Sequence, residues 1–171
     1  MNEKTHTSGA VRWLLRIVAT IAVIAWMGVI FLMSADNAEE SSRKSEEVVD
    51  LVIDVAVGVK LTTREAVTPS VRETIGFYVR KAGHAAEYAI LGVLLVLALA
   101  AWGLQRLPAR AAIALPVAAA YAASDEYHQL SVSGRSGEWR DVLIDISGAA
   151  IGILLVLLVM RIARRKRGRK S

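Results

Sequence analysis

The 171-residue sequence contains no cysteine. A disulfide framework, a thiolate nucleophile and a thiolate metal site are therefore excluded. Internal repeats and low-complexity tracts are also missing, so we expect a single domain over residues 1–171. Tight zinc-binding spacings such as His-Glu-x-x-His do not occur, and we expect no metal and no cofactor. The nitrogen and oxygen donors that keep a metal open as the less favoured alternative are His84, Glu87, Glu126, His128 and Asp141.

Hydrophobic residues make up 54% of the chain, and the mean hydropathy is +0.43. These values are too high for an ordinary soluble domain and indicate a membrane protein. The formal net charge is +5, and seven of the 21 basic residues fall in the segment 161–171, directly after an apolar run. Such a cluster is typical of a topology anchor on anionic lipid rather than of a nucleic-acid site. We therefore expect membrane lipid, and no nucleic acid, as a partner.

Four apolar stretches cover residues 13–33, 82–104, 107–124 and 142–162. Each is close to the roughly 20 residues that cross about 30 Å of hydrocarbon as a helix. They predict an all-α integral membrane bundle of four transmembrane helices. The third stretch is alanine-rich and contains Pro116, so a re-entrant or buried helix is its alternative.

The first stretch has the alternative of a cleaved signal peptide. Its apolar core is long for the hydrophobic region of a signal peptide, and Met33-Ser34-Ala35-Asp36 is a poor small-x-small cleavage site. An uncleaved anchor is therefore the favoured interpretation.

The basic residues near the spans predict the orientation of the chain. Lys4, Arg12 and Arg16 precede or begin the first span, Arg106 and Arg110 lie between the second and the third, and the tail follows the fourth. Cytoplasmic segments carry the excess of lysine and arginine, so all three groups belong on that side. The segments 34–81 and 125–141 are then outside. This pattern predicts a multi-pass protein of the bacterial cytoplasmic (plasma) membrane with both termini in the cytoplasm.

The first outer segment, 34–81, carries helical patterns of its own. Apolar residues recur at helical spacing, and acidic residues take much of the opposite face. This pattern predicts a short amphipathic helix that lies on the bundle or on the bilayer surface. After Thr68-Pro69, the pattern Ser70-x-x-Glu73 predicts the cap of a second short helix that can run on into the second span. The apolar positions are Val48, Leu51, Val52, Val55 and Val59, and the acidic ones are Glu46, Glu47, Asp50 and Asp54.

Polar side chains occur at the outer ends of three spans, where hydrocarbon should be. Ionisable groups at membrane depth cost several kcal/mol, and they usually pair with one another or carry a function. Each residue alone has an ordinary interpretation as a solvated helix end or an interfacial anchor. Taken together, however, they predict one shared pocket. Its members are Lys81, His84, Glu87 and Tyr88 in the second span, Asp125, Glu126 and Gln129 at the end of the third, and Asp141 and Asp145 in the fourth.

The fourth span places Gly148 and Gly152 on the same face as Asp141 and Asp145. Small residues four apart let another backbone approach closely, so this face is predicted to pack against the bundle. Neighbouring carboxyl groups cannot all remain ionised at low cost, and one acid and one base can then coexist at neutral pH. The nearby cations that could neutralise them, or bind a phosphate or a substrate carboxylate, are Lys81, Arg135 and Arg140.

At these positions the sequence resembles the VanZ-like family of membrane proteins, which is associated with teicoplanin resistance. The resemblance covers most of the chain and rests on the order and spacing of several short motifs. In the family, Glu126, Gln129, Asp141 and Gly148 match the most persistent positions, and Asp145 stands where asparagine is usual. The matching motifs are Phe31-x-x-Ser34, Lys81-x-x-His84-x-x-x-Tyr88, Asp125-Glu126-x-x-Gln129, Gly134-Arg135 and Asp141-x-x-x-Asp145-x-x-Gly148-x-x-x-Gly152.

The resemblance implies an envelope protein that lowers susceptibility to teicoplanin-type lipoglycopeptides, with a polar pocket at the outer membrane face. Two molecular classes fit this expectation. In an enzyme, Glu126 and Asp141 would be the general acid and base and His84 a proton shuttle, acting on a lipid-linked envelope substrate. In a binding or assembly protein, the same groups would form a buried hydrogen-bond network that holds a surface for the lipoglycopeptide tail, a wall precursor or a protein partner, without turnover. A small proton-coupled transporter is a further alternative, but nothing ionisable continues the polar groups through the inner halves of the second to fourth spans until Arg106, Arg110 and Arg161.

Overall fold

The computed structural model describes residues 9–36, 38–132 and 137–168. Over these residues the chain is helical and has no strand. Four of the helices, α1, α3, α4 and α5, are long and apolar enough to cross a membrane. The predicted all-α class and the four predicted spans are confirmed. The elements are α1 (Gly9–Ser34), α2 (Ala38–Gly58), a short 3₁₀ helix (Arg64–Ala66), α3 (Pro69–Ala101), α4 (Leu107–Gln129) and α5 (Trp139–Gly168).

Helix α3 is longer than the span predicted at 82–104. It runs without a break from Pro69 to Ala101, so the short helix predicted before the second span is its first part. Thr68 caps it by accepting the N–H of Val71, and Pro69 occupies the first turn, where no N–H is needed. The predicted cap at Ser70 is wrong because Ser70 lies inside the helix. At about 1.5 Å per residue, α3 is about 50 Å long and exceeds the hydrocarbon thickness.

The other spanning helices also differ from their predicted ends. Helix α4 is continuous through Pro116 and reaches Gln129, so this stretch is long and apolar enough to cross a membrane. Helix α5 begins at Trp139 and continues to Gly168, through most of the basic segment predicted as a tail. Lysine and arginine are good helix formers, and their charge is favourable near a helix C-terminus.

The closest helix packing joins α3 to α5. An added Cβ at Gly148 would overlap the carbonyl oxygen of Ala85, and one at Gly152 would overlap that of Ala89. In the opposite direction, a Cβ on Gly92 would lie 2.6 Å from the carbonyl oxygen of Ala149. Small residues on both helices therefore let the two backbones touch. This contact fixes the depth of α5 relative to α3.

Helix α4 presents one buried stripe to this pair. Ala114, Ala118 and Ala122 recur at intervals of four and are fully buried. The same stripe continues into Asp125, Glu126 and Gln129, which are also buried. The carboxyl groups of α4 are inside the bundle because they occupy the core-facing positions of the helix.

Basic residues gather at one end of the bundle, which we call the basic end. Arg110 donates to the carbonyl oxygen of Leu104 at 2.6 Å, and Arg164 donates to that of Gln105 at 3.0 Å. Arg16 of α1 donates to the carbonyl oxygen of Ala101 at 3.4 Å. The start of α1, the α3–α4 connection and the last part of α5 therefore meet at this end. The predicted polar residues lie at the opposite end.

Helix α2 packs along the first part of α3 through residues at the border of its predicted apolar face. Val49 and Ile53 are the residues that it buries, whereas the five predicted apolar positions remain exposed. Arg72 of α3 also bonds Asp50 at 2.7 Å and Glu46 at 3.5 Å, and its hydrogen bond to Asp50 lowers the pKa of that carboxyl. The acidic face of α2 thus bonds to α3, and part of its apolar face is left uncovered.

Candidate functional site

The predicted polar residues of three helices come together at the end of the bundle opposite the basic end. Their positions follow from three structural facts: the close α3–α5 contact, the buried stripe of α4 and the first turns of α5. Helix α1 closes the group, because the indole of Trp26 donates to the carbonyl oxygen of Glu87 at 2.9 Å. We call this group the polar cluster, and it consists of Lys81, His84, Glu87, Tyr88, Asp125, Glu126, Gln129, Asp141 and Asp145.

Lys81 and Asp141 form an ion pair between α3 and α5. The ammonium of Lys81 donates to Oδ1 of Asp141, and both side chains are mostly buried. Asp141 lies in the first turn of α5, where a negative charge is also favoured by the helix dipole. This pair links α3 to α5 at the cluster. Its partial burial makes the loss of one partner more costly than for a surface pair.

His84 and Asp145 form the inner contact of the cluster. Nδ1 of the imidazole lies 3.8 Å from Oδ1 of Asp145, whose residue is only 1% exposed. Asp125, Asp141, Glu87 and Glu126 all lie within electrostatic range of Asp145, which makes it the centre of an acidic group.

Glu126 ties α4 to the beginning of α5. Its Oε1 accepts the backbone N–H of Glu138, the residue directly before α5. One turn away, the side-chain amide of Gln129 donates to Oδ2 of Asp125 at 3.5 Å. One oxygen of Glu126 therefore has a structural role, and its other oxygen remains for a further contact.

Several buried polar atoms of the site have no hydrogen-bond partner among the described residues. They include the hydroxyl of Tyr88, Oδ1 of Asp125, Oε2 of Glu126 and Oδ1 of Asp145. Buried polar atoms are costly when unsatisfied, and groups of them occur at sites that take up protons, water or a ligand. The cluster can therefore accept or exchange protons and bind a polar group.

Helix α1 contributes a residue that was not predicted as part of the site. Ser34, the last residue of α1, is 3% exposed, and its hydroxyl is close enough to interact with the carboxyl of Asp125. Phe31 stacks against the imidazole of His128, with ring centroids 4.4 Å apart. Phe31 and Ser34 lie on one face of the helix, and their place among the motifs of the family resemblance was the signal that could have added them to the site. Arg135, the remaining predicted site residue, lies outside the described residues.

A cavity of about 530 Å³ adjoins the polar cluster between α1, α2 and α3, and we call it the side groove. It touches the cluster at His84 and Glu87, with Ser34 beside them. Its remaining walls come mainly from α2 and from the first half of α3. The groove thus offers a route to the cluster from the side of the bundle. Lining residues on α1 and α2 include Met33, Asp36, Ser41, Lys44, Ser45, Val48 and Val52, and those on α3 include Val79, Arg80, Ala82, Gly83 and Ala86.

Four apolar helices of spanning length and an interior polar cluster define a multi-pass helical membrane protein with a site at one end of its bundle. The chain belongs to the VanZ/LLP1 family, whose sequence model matches residues 19–160. The matched segment contains the whole polar cluster and the side groove, and the resemblance found in the sequence is confirmed. Neither the curated proteins nor the solved structures give a match to this chain.

Proposed function

We propose that this protein is a cell-envelope protein of the bacterial plasma membrane that lowers susceptibility to teicoplanin-type lipoglycopeptides. Its polar cluster faces the outer surface, and the basic end faces the cytoplasm, as the excess of lysine and arginine favours. Both termini are then cytoplasmic. The ligand is a lipid-linked wall precursor or the lipoglycopeptide itself.

The main support is the burial of acidic side chains from two helices, α4 and α5, at the same end of the bundle. Asp125, Glu126 and Asp145 are each less than 10% exposed. Hydrophobic residues at these positions would pack a bundle at lower cost, so a requirement other than folding best explains the acids. One oxygen of Glu126 and one of Asp145 have no hydrogen-bond partner among the described residues, and they add to this support because they leave hydrogen-bonding capacity for a ligand.

A second candidate function is acid–base catalysis on a lipid-linked envelope substrate. The observation that favours it is the contact between the imidazole of His84 and the carboxyl of Asp145, at 3.8 Å. A carboxyl group that orients an imidazole is a common arrangement in general acid–base catalysis. In this mechanism Glu126 and Asp141 exchange protons with the substrate, and His84 relays them.

Susceptibility measurements test the proposal and separate its two forms. We would express the wild type, Glu126→Gln and the control Glu47→Gln at equal levels in a susceptible bacterium. Inhibitory concentrations would be compared for teicoplanin and for a glycopeptide without an acyl chain. Glu47 is an exposed acid of α2 outside the cluster, so the control removes a carboxylate without touching the site.

The expected result is several-fold protection against teicoplanin by the wild type and by the control. The side-chain amide in Glu126→Gln keeps an oxygen that can accept the N–H of Glu138, so the fold should persist in this variant. Retained protection indicates binding through hydrogen bonds, and lost protection indicates that the carboxyl must exchange a proton. Turnover of purified lipid-linked precursor by the wild type alone would establish the catalytic form. A wild type that gives no protection refutes the proposed function.

A further inference from the structure

The side groove contains a cation without a counter-ion. Arg80 of α3 is partly buried, and it has no hydrogen bond or ion pair with any described residue. Its Nη1 lies beside Gly76, one helical turn earlier, at 3.6 Å from the position of an added Cβ. Arg80 therefore lies between the side groove and a second cavity, which Gly76, Glu46 and Glu73 also line. A partly desolvated guanidinium is stabilised by anionic oxygens that accept its hydrogen bonds, and it can bind phosphate in a bidentate manner.

The other polar groups of this part of the groove lie on the α2 side, across from Arg80. Lys44 of α2 is paired with Asp36 at 2.7 Å and lies on the same cavity as Arg80. Ser41 and Ser45 lie beside it, and the hydroxyl of Ser45 donates to the carbonyl oxygen of Ser41 at 2.8 Å. The remaining titratable groups, His84 and Glu87, belong to the part of the groove that touches the polar cluster.

The rest of the groove is apolar and open at its side. Met33, Val48, Val52 and Val79 form walls, whereas Ala82, Gly83 and Ala86 are small and exposed. No described atom would lie within 4 Å of a Cβ at Gly83, so the groove is open there. Its volume of about 530 Å³ is within the usual range of small-molecule pockets. A ligand that fits has a compact anionic part and an apolar part that leaves through the open side.

We propose that the side groove binds a glycerophospholipid with a net negative head group. The phosphate diester pairs with Arg80 and is supported by Lys44, while the acyl chains pass Ala82, Gly83 and Ala86 into the bilayer. Two observations favour a lipid over a free anion: the apolar walls, and the exposed apolar face of α2, which suits a helix that lies in the membrane interface. The inference rests on the proposed function only in placing this end of the bundle at a membrane surface, and it does not depend on the antibiotic phenotype.

Native mass spectrometry of the full chain in detergent micelles tests this site. Phosphatidylglycerol would be titrated against the wild type, Arg80→Gln and the control Arg43→Gln. Arg43 is an exposed arginine of α2 that pairs with Glu40 and does not line the groove. We expect about tenfold weaker binding in Arg80→Gln, as for the loss of one charge-assisted hydrogen-bond pair, and unchanged binding in the control.

A steric variant keeps the proposal testable if Arg80→Gln is poorly folded. Gly83→Leu places a side chain in the open groove and should abolish binding. Gly28→Leu is its control, because Gly28 of α1 also has nothing within 4 Å of a Cβ and lies outside the groove. Equal loss from both leucine variants, or undiminished binding in Arg80→Gln and Gly83→Leu, refutes the site.

Comparison ligands decide the chemical class. Phosphatidylcholine shares the phosphate but has no net charge, and we expect it to bind more weakly than phosphatidylglycerol. Equal binding of both lipids overturns the requirement for negative charge, and competition by inorganic phosphate overturns the lipid. Tighter binding of a polyprenyl phosphate overturns the glycerophospholipid. Phosphatidylglycerol binding without any antibiotic protection would leave this site established and refute the proposed function alone.

Discussion

Asp141 and Asp145 lie one helical turn apart on α5, and their electrostatic surroundings differ. The carboxylate of Asp141 forms an ion pair with the ammonium of Lys81. Asp145 is fully enclosed and has four other carboxyl groups within electrostatic range. An asparagine at position 145 would remove one acid from an acidic group and keep a hydrogen-bonding side chain of the same shape.

We therefore expect Asp145→Asn to be tolerated and Asp141→Asn to be harmful. Asp141→Asn leaves Lys81 mostly buried without its counter-ion, which is expected to cost about 1–3 kcal/mol of stability and the protective activity. The measurements are inhibitory concentrations for teicoplanin at matched expression, and thermal unfolding of the purified variants in detergent. Equal loss from both substitutions would contradict the distinction.

For individual residues, the sequence predicts which ones belong to the site, but it does not predict which residues they contact. Histidine and carboxylates within apolar runs are visible anomalies, so His84, Glu126 and Asp145 can be identified from hydropathy alone. The bond from Glu126 to the N–H of Glu138 depends on how the α4–α5 connection folds back. Arg80 and Lys44 line the same groove only because α2 lies across α3, and no local pattern indicates this arrangement.

Among the helices, the contact between α3 and α5 is the most sensitive to a small change. The carbonyl oxygens of Ala85 and Ala89 occupy the space that a side chain at Gly148 or Gly152 would need. A backbone atom cannot move aside as a flexible side chain can, so the whole helix must shift.

The corresponding prediction is that Gly148→Ala destabilises the protein by about 1–3 kcal/mol, the usual cost of overpacking. Gly28→Ala is the matched control, because a Cβ there meets no neighbour and alanine is the better helix former. Thermal unfolding in detergent should show a lower midpoint for Gly148→Ala and an equal or higher one for the control. Unchanged stability of Gly148→Ala would show that α5 packs less closely than described.

Helix existence was predictable, whereas helix ends and contact faces were less so. Apolar runs of about 20 residues identify the spans because lipid requires internally bonded helices. The start of α3 at Pro69 was obscured because its first part is polar and resembles a separate element. For α2, periodicity identified an apolar face, but the contact is made by Val49 and Ile53, at its border with the acidic residues that bond Arg72. Ion pairing and apolar burial together set the rotation of this helix.

The molecule has the basic end on one side of the bundle and the polar cluster at the opposite end. The proposed orientation follows from this asymmetry, and the lack of cysteine in the sequence makes it directly measurable. A single cysteine can be introduced without removing any native thiol.

We expect Leu61→Cys to react with a membrane-impermeant maleimide on intact cells, since Leu61 is 81% exposed and belongs to the proposed outer side. Gln105→Cys, in the α3–α4 connection at the basic end, should react only after the membrane is opened. Labelling of both in lysed cells is the control for accessibility. The reverse pattern in intact cells would invert the orientation and place the polar cluster in the cytoplasm.

Helix α3 contacts α2, contributes to the polar cluster and packs against α5. The same helix carries Arg72, which bonds α2, then His84 in the cluster, and then Gly92 in the contact with α5. No break or hinge separates these positions. A displacement of α2 would therefore be carried along one unbroken helix to the polar cluster and to the contact with α5.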